Sequence, residues 1–287
     1  MWNEIATHIT QTTGQPFEAK HHRSVGGGSI NQAYVVSDGD RAYFVKLNQA
    51  SRVAMFEAEA LGLREIWQTK TIRVPEPIAW GIAGNSAYIV LEWFDLGYGD
   101  HQSWEAMGRN LAAMHRVTSD RGFGWGQTNT IGATPQINTW TDNWTDFFVQ
   151  HRLGYQLQLA QRQGGRFPQA DRLLAAVPEI LSGYSPQPAL VHGDLWTGNA
   201  AVTQNGEPIV FDPALYYGDR EVDLAMSQLF GSFPTHFYSA YNEAFPLESG
   251  YKKRKILYNL YHIINHFNLF GGSYQSQANQ MINALLS

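Results

Sequence analysis

The sequence predicts an α+β fold in two lobes: a small antiparallel β-sheet carrying one long helix, then a mainly helical lobe. Three observations lead there. Between residues 18 and 92 short apolar runs alternate with glycine-bearing turns, and one helical stripe interrupts them. After residue 102 the apolar spacing becomes that of helices. Between the two lies Asp95 to Gln102, rich in glycine and polar residues, which reads as the hinge. The lobes are therefore placed at 1–95 and 96–287, and a cleft at such a junction is a favoured ligand site.

Composition narrows the function. Of 287 residues, 44% are hydrophobic and 13% aromatic, enough for a packed core. Only 16% are charged and the net charge is −5, which argues against the basic face that nucleic-acid binding needs. The one basic cluster, Lys252 to Lys255, reads as a solvated helix face. The absence of cysteine excludes disulfides, thiolate zinc sites and thiol nucleophiles. No run approaches the ~18 apolar residues of a membrane span, and the N-terminus lacks a cationic head and apolar run. A soluble cytoplasmic protein is expected.

Taken in order, residues 3–12 read as a short helix stopped by Gly14. Residues 18–47 read as three strands, the first two separated by Gly26, Gly27, Gly28 and Ser29, the last two by an Asp38-Gly39 hairpin turn. Bare backbone N–H groups in a glycine loop can approach phosphates closely, although a loop without a ligand would look the same. Lys46 stands on the third strand. Inside an apolar strand its charge needs a partner; on an edge it would simply face water. Residues 53–67 form a helix with Val53, Phe56, Ala60, Leu63 and Trp67 on one stripe. Glu57 and Glu59 flank that stripe on opposite sides, and helical geometry does not choose between them as partner of Lys46. Two strands follow, 77–82 and 87–92. Glu92, where the second runs into the hinge, counts with the glycine loop and Lys46 among the nucleotide-binding candidates.

In the second lobe Ser103 reads as the N-cap of a helix with Trp104, Met107, Leu111 and Met114 on one face, and His115 as a core histidine. Residues 119–139 read as a long glycine-rich loop without an assigned role, followed by helices near 140–163 and 168–182. The tail from 219 is helical, its longest stripe marked by Ile256, Leu260, Ile263, Ile264 and Phe267.

The chemistry concentrates after a short buried strand at 189–191, in His192-Gly193-Asp194-Leu195-Trp196-Thr197-Gly198-Asn199. Kinase catalytic loops follow H-R-D-x-x-x-x-N, where the Asp takes the acceptor hydroxyl's proton and the Asn holds magnesium. Here four residues separate Asp194 from Asn199, and Gly193 replaces the arginine. An Asn205-Gly206 hairpin then returns to Ile209-Val210-Phe211-Asp212, where a second metal-holding Asp would follow a strand. A polar turn between strands is the plainer alternative for the loop alone. Against the pattern G-x-G-x-x-G-x-V the glycine loop supplies Gly26 and Gly28, but Asn31 stands at the third glycine position.

The order of these pieces resembles the kinase-like phosphotransferases of small molecules, the group that includes aminoglycoside and choline kinases. More closely it resembles the fructosamine/ketosamine-3-kinase family. The specific parts are the loop around Trp196 and the stretch Tyr216 to Ala225 with Asp219, Arg220, Glu221 and Asp223. The resemblance implies a protein-kinase-like fold and transfer of the ATP γ-phosphoryl group to the 3-hydroxyl of a ketosamine of fructosamine or ribulosamine type, as a free molecule or on a glycated protein. The phosphorylated adduct is unstable, so the amine is released. The resemblance further implies Asp194 as base, Asn199 and Asp212 as Mg2+ ligands, Lys46 as phosphate contact, Glu59 rather than Glu57 as its partner, and Trp196 as a sugar contact. Some relatives carry a cysteine in the glycine loop; Ser29 stands at that site here, which argues against redox control of that kind.

Two other readings compete. One is an aminoglycoside- or choline-type kinase on the same fold. The other is a pseudokinase that binds nucleotide without catalysis, which predicts a degraded motif, whereas Lys46, Asp194, Asn199 and Asp212 are all present. A metallophosphoesterase needs histidine ligands after the Gly-Asp and Gly-Asn motifs, and Ala200 and Ala201 stand there.

Overall fold

The computed structural model describes residues 1–26 and 30–287. Gly27, Gly28 and Ser29, named above as part of the phosphate-binding loop, lie outside the described residues. The chain folds as two compact units, Met1–Gly99 with Ala201–Phe211, and Asp100–Ala200 with Asp212–Ser287. The hairpin 201–211, which the sequence reading left in the second segment, thus belongs to the first unit.

The first unit is built on α1 (Trp2–Thr13), β1 (His21–Ser24), β2 (Gln32–Ser37), β3 (Ala42–Gln49), α2 (Val53–Thr69), β4 (Pro77–Ala83) and β5 (Ser86–Glu92). The strands form one antiparallel sheet in the order β1-β2-β3-β5-β4. Gly14 ends α1 in the left-handed conformation at φ 71°, as its lack of a Cβ allows. Alternate residues of β2, β3 and β5 turn Val36, Val45 and Val90 onto Ile5, Ile9 and Phe17, and all six are buried. The stripe on α2 buries Phe56, Ala60, Leu63 and Ile66, while Trp67, expected on it, is 40% exposed at the helix end.

The second unit begins with α3 (His101–Met114). Its N-cap is Asp100 rather than Ser103: the Asp100 carboxylate accepts from the Ser103 N–H and hydroxyl, both at 2.8 Å, and so draws the helix start two residues upstream of that serine. The supposed hinge is therefore divided. Its end caps α3, while Asp95 and Gly97 are hydrogen-bonded to Gln204 and Val202 within the first unit. The stretch 119–139 contains a hairpin, β6 (Asn129–Ile131) with β7 (Thr134–Gln136). The expected helix at 140–163 is interrupted: α4 (Trp144–Phe147) runs into a π-helical segment, Phe148–Gly154, before α5 (Tyr155–Arg162). Then come α6 (Ala170–Ile180), β8 (Ala189–Val191), the hairpin strands β9 (Ala200–Val202) and β10 (Pro208–Val210), β11 (Tyr216–Gly218), α7 (Glu221–Met226), α8 (Thr235–Ala244), α9 (Tyr251–Phe270) and α10 (Tyr274–Leu286). β11 pairs antiparallel with β8, Tyr216 opposite Val191, which brings the turn after Asp212 beside the loop that starts at His192.

The basic cluster is not a uniformly solvated face. Lys252 and Lys253 are exposed, but Arg254 is buried and forks onto Glu221 at 2.6 and 2.8 Å, with its guanidinium 3.7 Å from the centre of the Tyr184 ring. On α9 it falls on the face that packs inward against α7, and the carboxylate there neutralises it.

Candidate active site

The residues singled out by sequence divide between the units. In the first, β3 is a central strand, flanked by β2 and β5, so Lys46 is no edge lysine. Its ammonium lies 2.7 Å from a Glu59 carboxylate oxygen, the two side chains only 8% and 11% exposed. Glu57, two positions earlier, points to solvent. The Glu92 carboxylate pairs with Arg73 and accepts the Glu76 N–H at 3.2 Å. Gly26 has open space where a side chain would be.

In the second unit β8 delivers the chain into the loop 192–199. Gly193 sits at φ +82°, and a Cβ there would lie 2.1 Å from the Ala214 carbonyl oxygen. No other residue type fits, which explains the departure from His-Arg-Asp. Gly198 is also confined, because the Trp196 ring folds back to within 2.3 Å of a Cβ built there. Trp196 itself is part-buried and meets Phe230 edge-on at 6.4 Å, so it is neither a core residue nor a free one.

Asn199 is buried and donates its side-chain N–H to the Asp194 backbone carbonyl at 2.8 Å and to the Asp194 carboxylate at 3.2 Å. Burial pushes the Asp194 carboxyl up to about 7, the Asn199 hydrogen bond opposes this, and the negative charge of Asp223 adds to it. Asp212 follows β10 with φ +58°. Only Lys70, at the C-cap of α2, shares a positive φ among the described non-glycine residues.

These groups suit magnesium. Asn199 turns its amino group to Asp194, which leaves its carbonyl oxygen as the donor for a cation, and Asp212 offers a second hard oxygen. Among the described residues there is no cluster of three or more His, Cys, Asp or Glu of metal-site geometry. Mg2+ needs none, since it commonly takes one or two protein oxygens and completes its shell with phosphates and water.

The sequence reading assigned no role to Asp223, although its carboxylate holds the loop. It accepts the His192 N–H at 2.7 Å, the Gly193 N–H at 2.8 Å and His115 Nε2 at 3.0 Å, with no exposure to solvent. Burial works to raise its pKa, but the hydrogen bonds it accepts from His115 and the His192 N–H outweigh it, and the group lies below its usual range. Burial keeps His115 neutral by lowering its pKa. Because a carboxylate only accepts, Nε2 carries the proton, and Nδ1 accepts from the Tyr241 hydroxyl at 2.8 Å. Arg220 donates to that hydroxyl in turn at 3.0 Å. A carboxylate inside the apolar run Val222-Asp223-Leu224-Ala225-Met226 was the signal that could have singled it out.

Among the described residues, no helix is long and apolar enough to cross a membrane. The fold is α+β and protein-kinase-like. The profile of the fructosamine kinase family matches residues 1–287. A probable ketoamine kinase of Synechocystis sp. is 58% identical over 99% of this chain and 97% of its own. The chloroplastic protein-ribulosamine 3-kinase of Arabidopsis thaliana is 43% identical over 96% of this chain and 85% of its own. The crystal structure of a candidate fructosamine-3-kinase from Haemophilus somnus 129PT superposes with a TM-score of 0.94 at 32% identity, covering 100% of this chain and 98% of that one. The chain belongs to the fructosamine kinase family and is a phosphotransferase that acts on an alcohol group.

Proposed function

We propose that the chain transfers the γ-phosphoryl group of ATP to the 3-hydroxyl of a ketosamine of the fructosamine or ribulosamine type, with Mg2+. The observation that carries this reading is the setting of Asp194. It is a carboxylate on a rigidly anchored loop, its pKa near neutrality, hydrogen-bonded by an asparagine whose carbonyl is left for a cation. The Asp194 carboxylate takes the proton of the acceptor hydroxyl as that oxygen bonds to the γ-phosphorus. The bond from the γ-phosphorus to the β,γ-bridging oxygen breaks, and ADP leaves with the electron pair. Asn199 and Asp212 hold the metal, which when bound draws charge from the phosphate oxygens. Lys46, oriented by Glu59, contacts the phosphates, and the backbone of Gly26 approaches them. Trp196 offers the flat apolar face of an indole and one N–H donor to the sugar. The ketosamine 3-phosphate then sheds its amine, which makes the overall process a deglycation.

ATP consumption measured against ketosamines, aminoglycosides, choline and simple sugars tests the proposal. Turnover with ketosamines at least ~10-fold above the other classes is expected, a difference of roughly 1.4 kcal/mol in transition-state binding. Preference for an aminoglycoside or choline would replace the substrate assignment, and no turnover of any acceptor would return the pseudokinase reading.

A further inference from the structure

Arg152 is the largest side chain with no solvent exposure, and it lies in the π-helical segment 148–154. Its contacts are carbonyls, an amide and aromatic faces: Nη1 donates to Ile137 O at 2.7 Å, Nη2 to Asn138 Oδ1 at 2.8 Å, and the guanidinium lies 4.0 Å from the centre of the Tyr216 ring. A guanidinium has only donors. It therefore fixes which way Asn138 points, with its oxygen to Arg152 and its amino group away. That amino group donates to Asn129 Oδ1 at 2.9 Å, which in turn makes the Asn129 amino group face Leu215 O at 2.8 Å. Gln136 joins the same oxygen of Asn129 at 2.9 Å and places its second N–H on Ala214 O, also at 2.9 Å. Its own oxygen accepts the Tyr261 hydroxyl at 2.7 Å. Every amide in this buried relay has its orientation dictated, with a donor-only group at one end and two backbone carbonyls at the other.

Those two carbonyls belong to the turn that follows Asp212. The Ala214 carbonyl is also the group against which Gly193 packs, so it joins the Asp212 turn to the Asp194 loop. We propose that the β6–β7 hairpin is a clamp that sets the conformation of the Asp212 turn, and that Gln136 is its positioning residue. The backbone of Asp212 is held at a positive φ that a free aspartate seldom adopts, and a turn of that kind persists only when its surroundings over-determine it. The clamp supplies two hydrogen bonds to the turn from residues that are otherwise remote in sequence. The inference rests on the reading of Asp212 as a magnesium ligand.

The test is Gln136→Met, which keeps the volume and removes both donors. Binding of Mg2+ in the presence of saturating ADP is followed by calorimetry and by thermal shift, alongside the steady-state constants. The expected result is a rise of about 5-fold or more in the Mg2+ concentration for half-saturation, roughly 1 kcal/mol by the tenfold-per-1.4 relation. kcat should fall with it, and the acceptor KM should stay within about 2-fold. A purely structural role would lower the melting temperature and leave the Mg2+ midpoint of the folded protein alone. A folded Gln136→Met protein with the wild-type midpoint overturns the inference. If that variant does not fold, Tyr261→Phe, which removes only the hydroxyl that holds the Gln136 oxygen, should shift the midpoint in the same direction by about 2-fold, and no shift overturns it equally. Absence of any Mg2+ dependence in the wild-type protein would instead overturn the assignment of Asp212 together with this inference.

Discussion

Replacing Asp223 by asparagine isolates what the loop anchor does. Oδ2 of Asp223 receives the His192 N–H and His115 Nε2, and Oδ1 receives the Gly193 N–H. Asparagine keeps one oxygen. If it takes the Oδ2 position, the new amino group faces the Gly193 N–H, donor against donor. If it takes the Oδ1 position, the amino group faces both His192 and His115. The first arrangement loses least: one charge-assisted hydrogen bond and one buried N–H left without a partner. An unsatisfied buried donor costs about 1–3 kcal/mol, and a hydrogen bond to a charged group contributes about 1.5–3. These overlap, so a loss of roughly 2–4 kcal/mol of folding stability is expected.

The catalytic effect should be larger than the stability effect suggests. Gly193 immediately precedes Asp194, and a displacement of the base of about 1 Å can cost ~10² in rate. Urea unfolding read by tryptophan fluorescence and steady-state kinetics with a ketosamine would measure the two together. Asp223→Asn should lose about 10²-fold in kcat while the KM for ATP moves little. A variant with wild-type kcat, whatever its stability, would refute the argument that this carboxylate positions the base.

Three further outcomes are expected. Asp194→Asn should lower kcat by ~10²-fold or more with ADP affinity nearly unchanged by calorimetry, because the base touches the acceptor and not the nucleotide; near-normal turnover would dismiss Asp194 as base. Lys46→Met leaves the Glu59 carboxylate in a site where both partners are nearly buried, so a loss of about 3 kcal/mol in chemical denaturation and a rise of ~10-fold in the KM for ATP are expected, and an unchanged KM would separate Lys46 from the phosphates. Trp196→Ala should raise the ketosamine KM or lower its turnover by ~10-fold, about 1.4 kcal/mol, and leave the melting temperature close to wild type, since the ring is only part-buried; unchanged ketosamine kinetics would remove it from the acceptor site.

Much of the fold was legible because its elements follow local rules. The α1 helix ends at Gly14, the α2 stripe buries Phe56 and Leu63, and the apolar runs read as strands are β3 and β5, with Val45 and Val90 buried. Lys46, Asp194, Asn199 and Asp212 stood out because their spacing is a chemical pattern. What sequence did not yield depends on partners distant along the chain. Helical geometry left Glu57 and Glu59 open as partner of Lys46; only the family resemblance chose Glu59, and packing on β3 is what turns it to Lys46. Asp100 displaced Ser103 as a cap because both are good caps and the choice depends on which side chain reaches the free N–H groups. Arg254 was read as surface because Glu221 lies 33 positions away in sequence. The role of 119–139 was invisible for the same reason, since Asn129 and Gln136 act on carbonyls at 214 and 215.

The site also explains why its motif departs from the kinase pattern at one position and keeps it at the others. Among its described residues, two occupy the left-handed region, Gly193 and Asp212. For a residue with a side chain that conformation costs about 1–2 kcal/mol, less for aspartate than for most. At 212 the cost is tolerated on the proposal that the carboxylate holds the metal, since glycine there would relieve the strain and remove the proposed ligand. At 193 the side chain has no function that could offset the cost, and the Ala214 carbonyl already fills the space it would need. An arginine in that position would have to displace the same carbonyl that Gln136 holds, and with it the turn that carries Asp212. The glycine of His-Gly-Asp is thus a consequence of how closely the loop 192–199 packs on the Asp212 turn, and the two segments constrain each other through a single backbone oxygen.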